Sequence, residues 1–123
     1  MKNSLTILIL IFISNYLFSQ TDKNILINKM KQDVTLLASD KMKGRQIGTN
    51  GEKKAAKYIK NQFKQYGLQE KGNDAYYQVF KTTKNLNPHS NHKTQKIKGI
   101  NIIGYCDNNQ EETIIIGAHY DHL

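Results

Sequence analysis

The chain has one cysteine, one proline and no tryptophan among its 123 residues, and it is short of acids, with 10 Asp and Glu against 18 Lys and Arg. A lone Cys106 cannot close a disulfide within the chain, which excludes a disulfide scaffold and any zinc module built on two or more thiolates. A single proline with eight glycines excludes collagen-like and low-complexity readings. A chain of 123 residues is one domain at most. The formal charge of +8 invites a nucleic-acid or anionic-membrane reading, but such a footprint requires cations clustered on one face, and these lysines are scattered. No nucleic acid is expected as a partner.

Long apolar runs are equally scarce. The longest, Leu5 to Ile13 (LTILILIFI), follows Lys2 and is succeeded by the more polar SNYLFSQ, with Ser19 as the small residue at a cleavage point. That order is the n-, h- and c-region of a secretory signal peptide. A spanning helix needs about 20 apolar residues. This run is shorter and Asn15 interrupts its extension, so a retained anchor is the second reading. Residues 1–19 are therefore read as a signal peptide, and residues 20–123 as the mature part, with a formal charge of +7 once Lys2 is removed. The expected location is secreted, periplasmic or cell envelope, with no stable membrane span after cleavage.

From Asp22 to about Ala38, Leu26, Met30, Val34 and Leu37 recur at three and four and predict a helix, with Asp22 as its N-cap. The Gly-rich polar stretch SDKMKGRQIGTNG reads as a loop. A second helix opens at Thr49, which stands three residues before Glu52 at capping-box spacing. Ala56, Ile59 and Phe63 continue its apolar face, with Ala55 and Tyr66 near it, and Gly67 followed by Leu68 predicts a Schellman ending. Beyond Gly72 the pattern turns β-rich. Tyr76–Thr83 and Lys96–Tyr105 read as strands of a hairpin around a polar loop at 84–95 that holds Pro88.

Thr113–Ala118 (TIIIGA) is a short continuous apolar run, the pattern of a strand buried on both faces. It leads into His119, Tyr120, Asp121 and His122. A strand of that kind needs layers on both sides, and a crossover to a further parallel strand normally follows. None does before Leu123, so the sequence is expected to be the first part of a longer α/β protein. The expected fold is a partial α/β/α sandwich with a mixed central sheet.

Alternation places His119 and Asp121 on the same side at the carboxyl end of that strand, the edge where open α/β sheets put their sites. A neutral imidazole is a common zinc ligand, held best when its second nitrogen donates to a carboxylate. A strand-end histidine beside a capping acid is the alternative on spacing alone.

TIIIGAHYDHL closely resembles the first metal motif of the zinc aminopeptidases of peptidase family M28. LLASD, KGRQIGTNGEKKAAKYI, FKQYGL and NIIGY fit the same pattern in order, so the resemblance covers essentially all of the mature chain. It implies a zinc-exopeptidase-like fold interrupted after the first metal-ligand strand. It also implies that His119 is a zinc ligand and that Asp121 has a catalytic role in holding and polarising that histidine. The family uses two neighbouring zinc ions to activate water and to bind a peptide or protein substrate by its free amino terminus. Its bridging Asp, its Glu pair and its remaining ligands follow this motif, so residues 1–123 are expected to be inactive alone. Glu111 and Glu112 precede the first ligand and read as turn carboxylates.

Other residues carry milder readings. His89 and His92 beside Pro88 read as solvated loop histidines, and His122 lines a pocket rim or ends the strand. Gly44 and Arg45 match the family's Gly-Arg element and read as a turn glycine with a surface or carboxylate-pairing arginine. Lys53, Lys54, Lys57, Lys60 and Lys64 read as a solvated helix face, and Tyr58 and Tyr66 as packing residues. Cys106 has no neighbouring base that would mark it as a nucleophile. Two other functions stay open: a secreted basic binding module without catalysis, and glutaminyl cyclisation on the same zinc scaffold.

Overall fold

The structure is a computed structural model that describes residues 23–85 and 94–122. The expected signal segment 1–19, the expected cap Asp22 and the histidines of the 84–95 loop lie outside those residues. The chain divides into two compact units, one up to Thr35 and one from Leu36 onward.

Helix α1 (Lys23–Leu37) forms where the three-and-four spacing places it. Lys29 and Asp33, one turn apart, close an ion pair at 2.6 Å. The stripe that the spacing draws is nevertheless uncovered: Leu26, Met30 and Val34 are all exposed, as are Ile25 and Ile27. Periodicity specifies which side of a helix is apolar, not whether anything covers it.

In the second unit a short 3-10 segment (Asp40–Arg45) leads into helix α2 (Asn50–Gln65). Thr49 caps α2, with its hydroxyl accepting from the Glu52 amide at 3.4 Å. At the far end Gly67 takes φ 74°, its N–H donates to the Lys64 carbonyl at 3.1 Å, and the Leu68 N–H donates to the Phe63 carbonyl at 3.0 Å. Those two bonds are the Schellman pattern that Gly67 and Leu68 predict. The start of α2 packs hard against the 3-10 segment, where a Cβ on Gly51 would lie 2.2 Å from the Met42 carbonyl oxygen. Met42, Ala55, Ala56 and Tyr76 are the buried hydrophobic residues of this unit, whereas Tyr66, expected near the buried face, is exposed.

Four strands follow: β1 (Gln69–Glu70), β2 (Tyr77–Asn85), β3 (Thr94–Ile102) and β4 (Gly104–Tyr105). The expected hairpin is present as an antiparallel pairing of β2 with β3, from Tyr77 opposite Ile102 to Asn85 opposite Thr94. Both strands run further into the 84–95 stretch than its polar composition suggests, because ladder hydrogen bonds need only backbone groups. The second sequence-predicted strand is broken at Ile103, whose N–H donates to the Tyr76 carbonyl at 2.8 Å. Gly104–Tyr105 then leaves β2 and pairs antiparallel with β1.

The content is thus mixed α/β, but the described strands form two separate two-stranded antiparallel sheets and not one mixed central sheet. The largest departure is at Thr113–Ala118. That run joins no ladder, and Ile114, Ile115 and Ile116 are 88%, 89% and 92% exposed. A strand exists only through its neighbours, and no described strand pairs with these residues.

Candidate functional site

The segment His119–His122 is held from the side by the 3-10 turn and β3. The turn itself reverses through three consecutive residues with positive φ: Lys43 at 49°, Gly44 at 73° and Arg45 at 60°. A non-glycine residue in this region costs of order 1 kcal/mol or more. Lys43 and Arg45 each carry that cost, offset by what Arg45 then reaches.

The Arg45 Nε–H donates to the Tyr120 carbonyl at 2.7 Å, and its Nη1 donates to the Leu37 carbonyl at the end of α1. The backbone of Arg45 contributes as well, its carbonyl accepting from the His122 N–H at 3.4 Å. Tyr120 points inward and its hydroxyl donates to the Ile100 carbonyl on β3 at 2.5 Å. Burial pushes the Tyr120 phenol well above its ordinary range, and the nearby Glu52 and Asp121 carboxylates push it further.

Glu52 completes the support. It is 1% exposed, and its two carboxylate oxygens accept from the Gly48 N–H at 2.7 Å and the Ile100 N–H at 2.9 Å. The capping-box carboxylate therefore reaches back one residue beyond the cap, and also across to β3. Ile100 thus meets α2 through its N–H and the His119–His122 segment through its C=O.

Within that frame His119 and Asp121 lie together, although no strand precedes them to set the alternation expected from their spacing. The His119 Nδ1 lies 2.8 Å from the Asp121 carbonyl oxygen and 3.3 Å from Asp121 Oδ1. Both oxygens accept only, so Nδ1 carries the hydrogen and, in the neutral ring, Nε2 keeps its lone pair. The tautomer is thus assigned from the partners. The His119 side chain is 79% exposed and that of Asp121 24%, so the ring is reachable while its orienting acid is sheltered. An imidazole with Nδ1 hydrogen-bonded to the Asp121 carbonyl, the Asp121 carboxylate 3.3 Å away and Nε2 free suits one corner of a zinc site. Among the described residues no group of three or more His, Cys, Asp or Glu side chains gathers as a fuller donor set.

The other candidates stay apart from this pair. His122 is exposed and contributes its backbone N–H, and Glu111 and Glu112 lie in the exposed stretch before Thr113. Cys106 is exposed, with its thiol 3.7 Å from Asn108 Oδ1. In the basic row of α2, Lys54 donates to the Lys41 carbonyl at 3.3 Å and Lys60 sits 5.4 Å from the centre of the Tyr77 ring. Arg45 is neither a plain surface residue nor a carboxylate partner, since it binds two backbone carbonyls. Its role is invisible in sequence because both contacts are to main-chain atoms, one of them 75 residues away. The Gly-Arg match is the one signal that singles it out.

Among the described residues no helix is long and apolar enough to cross a membrane. No family model, curated protein or solved structure matches the chain.

Proposed function

We propose that this chain carries the first metal-binding corner of a secreted or envelope zinc aminopeptidase of the M28 type. In this reading His119 ligates zinc through Nε2, and Asp121 holds and polarises the ring. The observation that carries it is the His119–Asp121 geometry, with Nδ1 facing two oxygens and Nε2 open. The order of the motifs along the chain supports the same reading. Zinc, when bound, supplies a Lewis acid that activates water and receives the substrate's free amino terminus.

The chain's own part is to fix the imidazole tautomer and to keep the Asp121 carboxyl beside the ring. The remaining ligands and the general base belong to sequence that follows the motif in this fold. The α/β/α sandwich of the zinc exopeptidases is part of the proposal. In that arrangement neighbouring strands and layers cover Ile114–Ile116, whose burial would contribute about 1.5–3 kcal/mol per side chain.

The test is made on the full-length natural gene product. A zinc chelator should stop the release of amino-terminal residues from peptides with a free N-terminus, and added zinc should restore it. His119→Ala should lose both bound zinc and turnover, and Asp121→Asn should lower either by about 10–100-fold. Full zinc content and full rate in His119→Ala would refute the assignment. Release of pyroglutamyl product from peptides with amino-terminal glutamine, without hydrolysis, would assign cyclisation instead.

A further inference from the structure

We propose that Arg45 is a positioning residue for the metal corner, setting the orientation of His119 by holding two consecutive peptide planes of the His119–His122 segment. The inference rests on His119 being the ligand, and it assigns a task to an arginine that sequence alone reads as a surface or carboxylate-pairing residue.

The need for such a residue follows from what precedes the site. Among the described residues the stretch from Cys106 to Ala118 joins no ladder, so the contacts that hold the His119–His122 segment there come from its side, from Arg45 and from the Tyr120 hydroxyl on Ile100. Arg45 makes two of these contacts. Its Nε–H holds the carbonyl of the Tyr120–Asp121 peptide at 2.7 Å, and its own carbonyl takes the N–H of the Asp121–His122 peptide at 3.4 Å.

Peptide planarity carries the second contact, which the Arg45 backbone makes, through to the ring; the Nε–H bond to the Tyr120 carbonyl holds the two stretches of chain close enough for it, and that bond is the one a change of side chain removes. The His122 N–H and the Asp121 C=O belong to one rigid trans unit and point in opposite directions. Anchoring the N–H on Arg45 therefore turns the Asp121 carbonyl away from Arg45, and that carbonyl receives His119 Nδ1 at 2.8 Å. The chain of cause runs from Arg45 through a peptide plane to the tautomer of the ligand.

Two further features fit this role. The Nη1 contact to the Leu37 carbonyl, within the same unit, gives the guanidinium a second main-chain anchor away from the segment it holds. The left-handed backbone at Lys43, Gly44 and Arg45 lets both the carbonyl and the side chain of Arg45 reach that segment. A guanidinium keeps its charge throughout the working pH range and presents donors in a fixed fork, whereas lysine offers a compact point charge without that fork.

The experiment compares wild type, Arg45→Ala, Arg45→Lys and Asp121→Ala in the full chain, with His119→Ala to assign the ring signals. Imidazole nitrogen shifts report the tautomer of His119, and a zinc titration followed on the same ring reports its affinity. Backbone amide signals from α2 and the β2–β3 hairpin confirm that each variant is folded. The wild-type ring should hold its hydrogen on Nδ1. Arg45→Ala should shift the tautomer toward Nε2–H and weaken zinc binding at His119 about tenfold, and adding Asp121→Ala should cost less than the sum of the two changes. Arg45→Lys should fold as wild type and recover only part of the loss.

A folded Arg45→Ala or Arg45→Lys with wild-type tautomer and wild-type zinc affinity overturns the proposal while leaving His119 as the ligand. A tautomer that follows Arg45, with no zinc response at His119 in wild type, supports the positioning and overturns the metal reading instead.

Discussion

A carboxylate at position 52 that is 1% exposed, with both oxygens occupied by backbone N–H groups, is the residue on which the site's support converges. Removing the side chain strands two donors, each costing about 1–3 kcal/mol when buried without a partner. Glu52→Ala is therefore expected to destabilise the fold by about 3 kcal/mol in a denaturant titration, measured as a lower midpoint. Glu52→Gln keeps the volume but turns an amide NH2 toward one of the two donors, so it should recover only part of that loss. Wild-type stability in Glu52→Ala would show that neither the local bond to Gly48 nor the bond that joins α2 to β3 at Ile100 supports the fold. Half of this arrangement is legible in sequence, since Thr49 and Glu52 announce a capping box. The bond to Ile100 is not, because it joins residues 48 apart and depends on how α2 meets β3. His119 and Asp121 are legible for the opposite reason: a separation of two residues lets local geometry bring them together.

Among the elements, α2 is readable from end to end because each signal that bounds it is local. The glycines at its two ends separate two physical causes. Gly67 at φ 74° has nothing within 4 Å of a built Cβ, so Gly67→Ala pays only for the left-handed backbone, about 1 kcal/mol. Gly51 has ordinary helical placement but no room, with the Met42 carbonyl oxygen 2.2 Å from where a Cβ would sit. Gly51→Ala should cost about 2 kcal/mol or more by overpacking, and it should disturb the amide signals of the 3-10 turn that Gly67→Ala leaves unchanged. Equal effects on both stability and the turn would contradict this division. β1 and β4 escape a sequence reading because two-residue strands such as Gln69–Glu70 have too few positions to show a period. The apparent continuity of the second strand through Tyr105 hides the change of partner at Ile103.

Across the whole chain, the sequence reads well wherever structure is made by neighbours in the chain and poorly wherever it needs distant surfaces. The stripe of α1 and the isoleucines at 114–116 are both apolar, correctly placed for burial, and exposed. Composition records the capacity to be covered; the covering surface is a separate fact. The His119–His122 segment lies just past the most exposed of these runs, and among the described residues it is held by Arg45 and by the Tyr120 hydroxyl on Ile100. That arrangement makes His119 both accessible and oriented, which are the two requirements of a metal ligand.

The central claim, that His119 is a metal ligand held by Asp121, is open to a zinc titration of the chain followed on the ring nitrogens of its four histidines, His89, His92, His119 and His122. The His119 Nε2 signal is expected to move first and saturate while Nδ1 keeps its hydrogen, and Asp121→Ala is expected to weaken the response. A His119 ring that stays unmoved while the other histidines take up the metal would contradict that claim.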